Sequence, residues 1–130
     1  MHLQFLESTS HATLSGLPFF GDSIGSARTY SVDTVSLVDL LREANAPKCI
    51  DYLSIDTEGS ELAILNSFDF QAYVFKVITV EHNFRDDEIE IVDLLTRNGY
   101  IQVAPNLSGI EAWFVNSAFD YPNISHLLKT

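Results

Sequence analysis

The sequence CIDYLSIDTEGSELAIL, residues 49–65, combines an apolar segment, a polar turn and a short helical segment. Cys49 to Asp56 are largely apolar, which predicts a strand of the kind that is buried on both faces in a parallel sheet. Gly59 then turns the chain, and residues 60–66 predict a short helix. The stretch therefore predicts the first strand and the crossover helix of a β-α-β unit.

The segment after this helix completes the unit. Residues Val74 to Glu81, VFKVITVE, predict a second buried strand. Asp87 and Glu90 resemble a helix cap and its partner, and the helix that they open is predicted to end at Gly99. We therefore expect strand, helix, strand and helix to alternate from residue 49 to residue 99.

Two short strands are predicted after this second helix. They cover residues 100–104 and 111–115, and the loop between them has a length suited to an antiparallel hairpin.

The segment before residue 49 is less regular. Residues 1–6 predict one short strand, and residues 28–35 predict another. Ser36 and Asp39 resemble a capping pair that opens a helix ending before Pro47. We expect this helix to bury a stripe formed by Leu37, Leu40, Leu41 and Ala44.

These elements predict an α/β fold in a single domain, residues 1–130. Strands that alternate with helices favour a mostly parallel sheet with helices on both faces. The hairpin adds antiparallel pairing at its C-terminal end.

The composition limits which binding partners and which cellular compartment we expect. The chain carries a formal net charge of -11, which opposes binding to nucleic acid and to anionic membranes. Cys49 is the only cysteine, and its apolar neighbours predict a buried thiol in a reducing compartment. No secretory leader or membrane-spanning stretch is recognisable, so we expect a cytoplasmic protein.

Titratable side chains follow the two strands of the predicted β-α-β unit. Asp56 and Glu58 come directly after the first strand, and Glu81, His82 and Asn83 come at the end of the second. In an open α/β sheet, ligands bind outside the carboxyl ends of parallel strands. We therefore expect these side chains to converge on one cleft.

The residues of this region resemble the C-terminal part of FkbM-like methyltransferases. The resemblance rests on VSLVDLL at 35–41, on IDYLSIDTEGSELAIL at 50–65, on Val80-Glu81, and on Asn98-Gly99-Tyr100. It covers roughly residues 29–117. The run of aspartate, any residue, glutamate and glycine with its trailing Glu-Leu is the most specific of these matches.

The resemblance implies the Rossmann-like sheet of class I methyltransferases, in which the two strands of the β-α-β unit are the fourth and fifth, and the hairpin is the sixth and seventh. It also implies S-adenosylmethionine as methyl donor and O-methylation of a hydroxyl on a sugar or small natural product. By this match, Asp56 and Glu81 are candidate donor-binding residues. Removal of the hydroxyl proton needs a base, and Glu58 and His82 are the candidate catalytic residues.

A magnesium site is a further alternative. Asp56, Glu81 and Asn83 resemble the oxygen ligands that catechol-type methyltransferases present to Mg²⁺, and hard oxygen donors suit that ion. The same residue types also satisfy the backbone of turns in many α/β proteins.

The sequence departs from the family pattern in lacking a glycine-rich turn, and this departure leads to alternative functions. Class I methyltransferases open with a strand and a glycine-rich turn that receives the donor, and Gly21-Asp22-Ser23-Ile24-Gly25 does not match that turn. We therefore expect that an N-terminal half is missing or is supplied by a partner chain, and that this chain alone binds the donor weakly or not at all. The alternative function is a non-catalytic α/β module for interaction or homo-oligomerisation. A metal-assisted hydrolase ranks last, because no nucleophile motif or two-metal ligand set is recognisable.

Overall fold

The computed structural model of the chain describes residues 2–7, 12–14, 28–82 and 86–124. Its first sheet consists of β1 (His2–Glu7), β2 (Ala12–Leu14) and β3 (Arg28–Asp33), in the order β2-β1-β3 with antiparallel pairing throughout. The strands predicted over residues 1–6 and 28–35 are thus confirmed. The pairing between them, and β2 itself, were not predicted.

The second sheet holds the predicted β-α-β unit and hairpin. It consists of β4 (Cys49–Ile55), β5 (Val74–Glu81), β6 (Tyr100–Val103) and β7 (Glu111–Asn116), in the order β4-β5-β7-β6. β4 and β5 are parallel, whereas β7 is antiparallel to both β5 and β6. The hairpin is therefore confirmed.

The expectation of a mostly parallel sheet is not confirmed, because β4–β5 is the one parallel pair in this sheet. The loop 104–110 is too short for a crossover connection, so β7 reverses direction after β6. β7 then lies between β5 and β6. As a result β6 runs in the same direction as β5 without pairing with it.

Three α-helices lie among the described residues: α1 (Leu37–Glu43), α2 (Glu61–Ser67) and α3 (Glu88–Arg97). A 3₁₀ turn covers Pro122–Ile124. The Ser36 hydroxyl accepts a hydrogen bond from the Asp39 amide at 3.2 Å, which confirms the predicted cap of α1. α3 is followed by Gly99 with φ of 87°, the left-handed conformation that favours glycine after a helix.

The predicted buried stripe of α1 is wrong, because this helix has no buried residue. Leu37 and Leu41 are half-buried, while Leu40 is 50% exposed and Ala44 is exposed. α1 is thus held mainly by its cap and by partial contacts with the core.

The larger core cluster joins the sheet to the helices. Leu65 of α2 and Leu95 of α3 meet Ile78 of β5 and Phe114 of β7, and all are almost completely buried. α1 contributes half-buried leucines to the same cluster. A smaller cluster of Val103, Ala104 and Val115, with Val77 and Tyr121 packed against it, contains no α-helical residue. The placement of helices on both faces of the sheet stays a prediction.

β4 is more exposed than its sequence predicts. Ile55 is its one buried residue, Tyr52 is 55% exposed and Cys49 is exposed, so the prediction of a buried thiol is wrong. The reason is that β4 lies at an edge of the sheet formed by the described residues, where β5 is the one strand that pairs with it. No helix among the described residues is long and apolar enough to cross a membrane.

Candidate active site

The carboxyl ends of β4 and β5 lie side by side and bring three carboxylates together. Ile55 pairs with Val80, so the residues that follow β4 meet the last residue of β5. One carboxylate oxygen from each of Asp56, Glu58 and Glu81 lies within 4.8 Å of the other two. We call these three residues the acidic cluster. Asp56 is exposed, and the other two are half-buried.

The turn after β4 has an unusual backbone that shapes this cluster. Glu58 has φ of 55° and Gly59 has φ of 119°, both in the left-handed region. For a residue with a side chain, that region costs roughly 1–2 kcal/mol. The turn therefore stores strain at a candidate catalytic residue, a feature that often accompanies function.

Glu61, the first residue of α2, holds this turn from inside the protein. Its side chain is fully buried. Its carboxylate accepts hydrogen bonds from the Thr57 amide at 2.8 Å, from the Thr57 hydroxyl at 3.1 Å, and from the Gly59 amide at 3.0 and 3.2 Å to its two oxygens. The Ser60 hydroxyl in turn donates to the Thr57 hydroxyl at 2.8 Å.

Glu61 belongs to the Glu-Leu that trails the motif, but it was not among the candidate site residues, although a signal for such a role exists. It lies four residues before Leu65, and residues spaced by four share one face of a helix. Leu65 is on the buried face of α2. An acidic residue at a position where an apolar one is expected indicates that its carboxylate has specific partners.

His82 takes a different direction from Glu81. Side chains alternate between the faces of a strand, and His82 follows Glu81 directly. The His82 side chain is only 3% exposed, and its Nδ1 lies 3.4 Å from Glu88 Oε2 of α3. Its backbone amide donates to the Ile110 carbonyl at 2.9 Å. The structure thus brings together Asp56, Glu58 and Glu81, and it places His82 against α3.

Asn83, the third candidate magnesium ligand, lies outside the described residues. The described part of the candidate site therefore consists of the acidic cluster and of Glu61, which accepts hydrogen bonds from the turn that carries Glu58. His82 lies against α3.

The charge of this region suits a cation. Glu81 is paired in register with Glu111, which places like charges opposite each other on neighbouring strands. The Trp113 indole donates to Glu111 Oε2 at 3.0 Å. Carboxylate oxygens can hold an organic cation or a hard metal ion such as Mg²⁺. Acidic groups also gather at surfaces without any ion, so the cluster by itself identifies no metal.

Comparison with known proteins gives the chain a family. A search of curated proteins and a search of solved structures each found no significant match. The family model described as the methyltransferase FkbM domain matches residues 4–102. This match begins earlier and ends earlier than the resemblance over residues 29–117, and it includes the acidic cluster, Glu61 and His82. The chain therefore belongs to the methyltransferase FkbM domain family.

Proposed function

We propose that the chain is an S-adenosylmethionine-dependent methyltransferase domain that transfers a methyl group to a hydroxyl of a sugar or small natural product. The observation that carries this proposal is the convergence of Asp56, Glu58 and Glu81 at the carboxyl ends of β4 and β5, in a chain of a methyltransferase family. Ligands of open α/β sheets bind at this end of the strands.

Asp56 and Glu81 are the proposed donor-binding residues. S-adenosylmethionine supplies the methyl group from a sulfonium cation, and it also carries an ammonium group. A negative carboxylate near either positive group favours binding, and more so where water is partly excluded. Glu81 is half-buried, which fits this role, whereas Asp56 is exposed and is more strongly screened.

Glu58 and His82 are the proposed catalytic residues. Methyl transfer to a hydroxyl forms an oxygen–carbon bond as the carbon–sulfur bond breaks, and the hydroxyl proton must leave to a base. The Glu58 carboxylate is within reach of the other two carboxylates of the cluster. His82 lies next to Glu81 in sequence, and its Nδ1 faces Glu88. That contact suits a histidine whose ring orientation is held by a carboxylate.

The charge of the chain supports a neutral or cationic acceptor. At a net charge of -11, the acceptor class disfavoured most is the polyanions, such as nucleic acids. Hydroxyls of sugars and of small natural products carry no such charge.

The test is a titration of the full chain with S-adenosylmethionine at concentrations up to the millimolar range, in which binding is monitored through the amide NMR signals. Weak binding is visible by this method, and it is what we expect of this chain alone. The amide signals near Asp56, Glu58 and Glu81 are expected to shift most. The variants Asp56→Asn and Glu81→Gln are expected to weaken binding by about threefold to tenfold, because each removes one attractive charge.

Matched controls come from exposed acidic residues elsewhere. Asp93→Asn on α3 and Glu43→Gln on α1 make the same chemical changes away from the cluster, and both residues are exposed. They are expected to leave donor binding unchanged. Absence of any donor-dependent shift in the wild-type chain would contradict the proposal and favour the non-catalytic α/β module.

Mg²⁺ is tested in the same experiment. The oxygens of Asp56 and Glu81 would hold such an ion, and its positive charge would orient a hydroxyl acceptor. We expect the donor and not Mg²⁺ to occupy the cluster. Saturable shifts of the Asp56 and Glu81 amides on addition of Mg²⁺ alone would contradict that expectation.

A further inference from the structure

We propose that Glu61 is the positioning residue of this site, whose buried carboxylate holds the turn 57–59 so that Glu58 can reach Asp56 and Glu81. The proposal rests on the proposed function for its consequence in donor binding. The effect of Glu61 on the backbone of the turn does not depend on that function, and it can be measured without any ligand.

The burial of Glu61 indicates a specific role. A carboxylate removed from water is costly unless hydrogen bonds compensate it. Glu61 is fully buried, and it accepts bonds from two backbone amides and one hydroxyl at 2.8–3.2 Å. Hydrogen bonds to an ionised acceptor are about twice as strong as those between neutral groups. These bonds offset the cost of keeping the carboxylate inside.

The two backbone amides that donate hydrogen bonds to Glu61 lie on both sides of Glu58. The Thr57 amide precedes it and the Gly59 amide follows it, so the Glu61 carboxylate spans the residue between them. Glu58 is in the left-handed region with φ of 55°. A conformation of this kind persists only when the surroundings impose it. The hydrogen bonds that Glu61 accepts impose the left-handed conformation here, since they fix the chain just before and just after Glu58.

The bonds of Glu61 serve the turn and not the start of α2. A side chain that caps a helix accepts from amides within its first turn. The bonds of Glu61 run backwards instead, to Thr57 and Gly59, which precede Ser60 at the N-cap position. Ser60 itself makes no side-chain capping bond and donates its hydroxyl to Thr57. The polar groups of this segment are thus directed at the turn.

The first test measures the turn without any ligand. In the wild-type chain, scalar couplings across hydrogen bonds should join the Thr57 and Gly59 amides to the side-chain carboxyl carbon of Glu61. The Cα and Cβ chemical shifts of Glu58 should report a left-handed backbone. Absence of these couplings in the folded wild-type chain would overturn the proposal, and this measurement needs no variant.

The second test uses Glu61→Gln with Glu43→Gln as its control. Glutamine keeps the shape of the side chain but replaces one acceptor oxygen by an amide group, which faces the Gly59 amide if it takes the place of Oε2. It also removes the negative charge that strengthens the remaining hydrogen bonds. We expect the left-handed signature of Glu58 to be lost in Glu61→Gln and kept in Glu43→Gln. Persistence of that signature in Glu61→Gln would overturn the proposal.

The third test measures donor binding by both variants. We expect Glu61→Gln to bind S-adenosylmethionine about tenfold more weakly than wild type, although Glu61 itself does not contact the donor, and Glu43→Gln to bind normally. Equal binding by Glu61→Gln and wild type would overturn the link between the turn and the site. If the wild-type chain shows no binding, the proposed function fails, while the couplings and the Glu58 signature still decide the role of Glu61.

Discussion

Three carboxylates whose oxygens lie within 4.8 Å of one another repel each other, and one of them belongs to a residue with a strained backbone. Neither feature stabilises the fold. Both are understandable if the turn 56–59 is shaped for a positively charged ligand, because functional sites often keep strain that the remainder of the protein offsets. Substitutions that remove these features should therefore raise the free energy of unfolding and weaken ligand binding.

We expect Glu58→Gly to stabilise the fold while it abolishes the site. Glycine adopts a left-handed backbone without steric cost, and the change also removes one repelling charge. The free energy of unfolding, measured with urea, should rise by up to about 1 kcal/mol, since glycine's greater freedom in the unfolded chain cancels part of the gain.

The variant Glu58→Gln separates the two causes. It removes the charge and keeps a side chain of the same shape. Its free energy of unfolding should therefore rise only by the amount that is due to charge repulsion. A lower unfolding free energy for Glu58→Gly than for wild type would show that the left-handed turn is not strained.

At the scale of elements, β5 was predicted with the bounds that the structure has, Val74–Glu81. It is rich in apolar residues and lies between two neighbours in the sheet. β4 has a similarly apolar sequence, yet Ile55 is its one buried residue. Periodicity reveals that a segment is a strand, but burial depends on which neighbours pair with it and cover it.

α1 is the element most dependent on local interactions, because none of its residues is buried. The Ser36 hydroxyl accepts from the Asp39 amide and donates to Asp39 Oδ2 at 2.7 Å. We expect Ser36→Ala to cost about 1 kcal/mol at this helix.

The loss should appear as faster hydrogen exchange of the α1 amides, with the exchange of α3 unchanged. Ser67→Ala at the end of α2 is the matched control, because the Ser67 hydroxyl bonds a carbonyl within its own helix and caps no helix start. Equal protection of α1 in Ser36→Ala and wild type would contradict the prediction.

At the scale of the whole molecule, burial of phenols makes stability sensitive to alkaline pH. Burial raises the pKa of the Tyr100 phenol above its usual value, and it does the same for Tyr121. A hydrogen bond from Lys76 to Asp51 raises the pKa of that ammonium. A raised folded-state pKa gives stability that is complete below the unfolded pKa and is lost as the pH rises through the folded one.

We therefore expect the unfolding free energy to fall once the pH passes about 10, which is the ordinary range of these groups. Urea unfolding at several alkaline pH values measures the loss. Tyr100→Phe should start less stable, because the Phe75 amide donates to the Tyr100 oxygen, but it should lose less stability with pH. An unchanged pH dependence in Tyr100→Phe would contradict the assignment.

The net charge of -11 predicts a second property of the whole molecule. Self-repulsion destabilises a compact state of high charge, and salt screens it over about 10 Å at 0.1 M and about 3 Å at 1 M. The midpoint of thermal unfolding should therefore rise with NaCl.

The control is the same salt series near the isoelectric point of about 4.4, where the repulsion is small and the rise should shrink. A rise of equal size at both pH values would indicate a general salt effect and not charge screening.

The amino-acid sequence by itself determined which segments form strands and helices from residue 28 onward, where the cap of α1 lies, and that Asp56, Glu58 and Glu81 meet. These features depend on short-range periodicity, on turn chemistry, and on the parallel pairing of β4 with β5. Tertiary structure decided the insertion of β7 between β5 and β6, the exposure of β4 at a sheet edge, and the direction of His82 toward α3. It also decided the burial of Glu61 and the hydrogen bonds that its carboxylate accepts from Thr57 and Gly59. Pairing, coverage and burial arise from contacts between segments distant in sequence, and local patterns do not encode them.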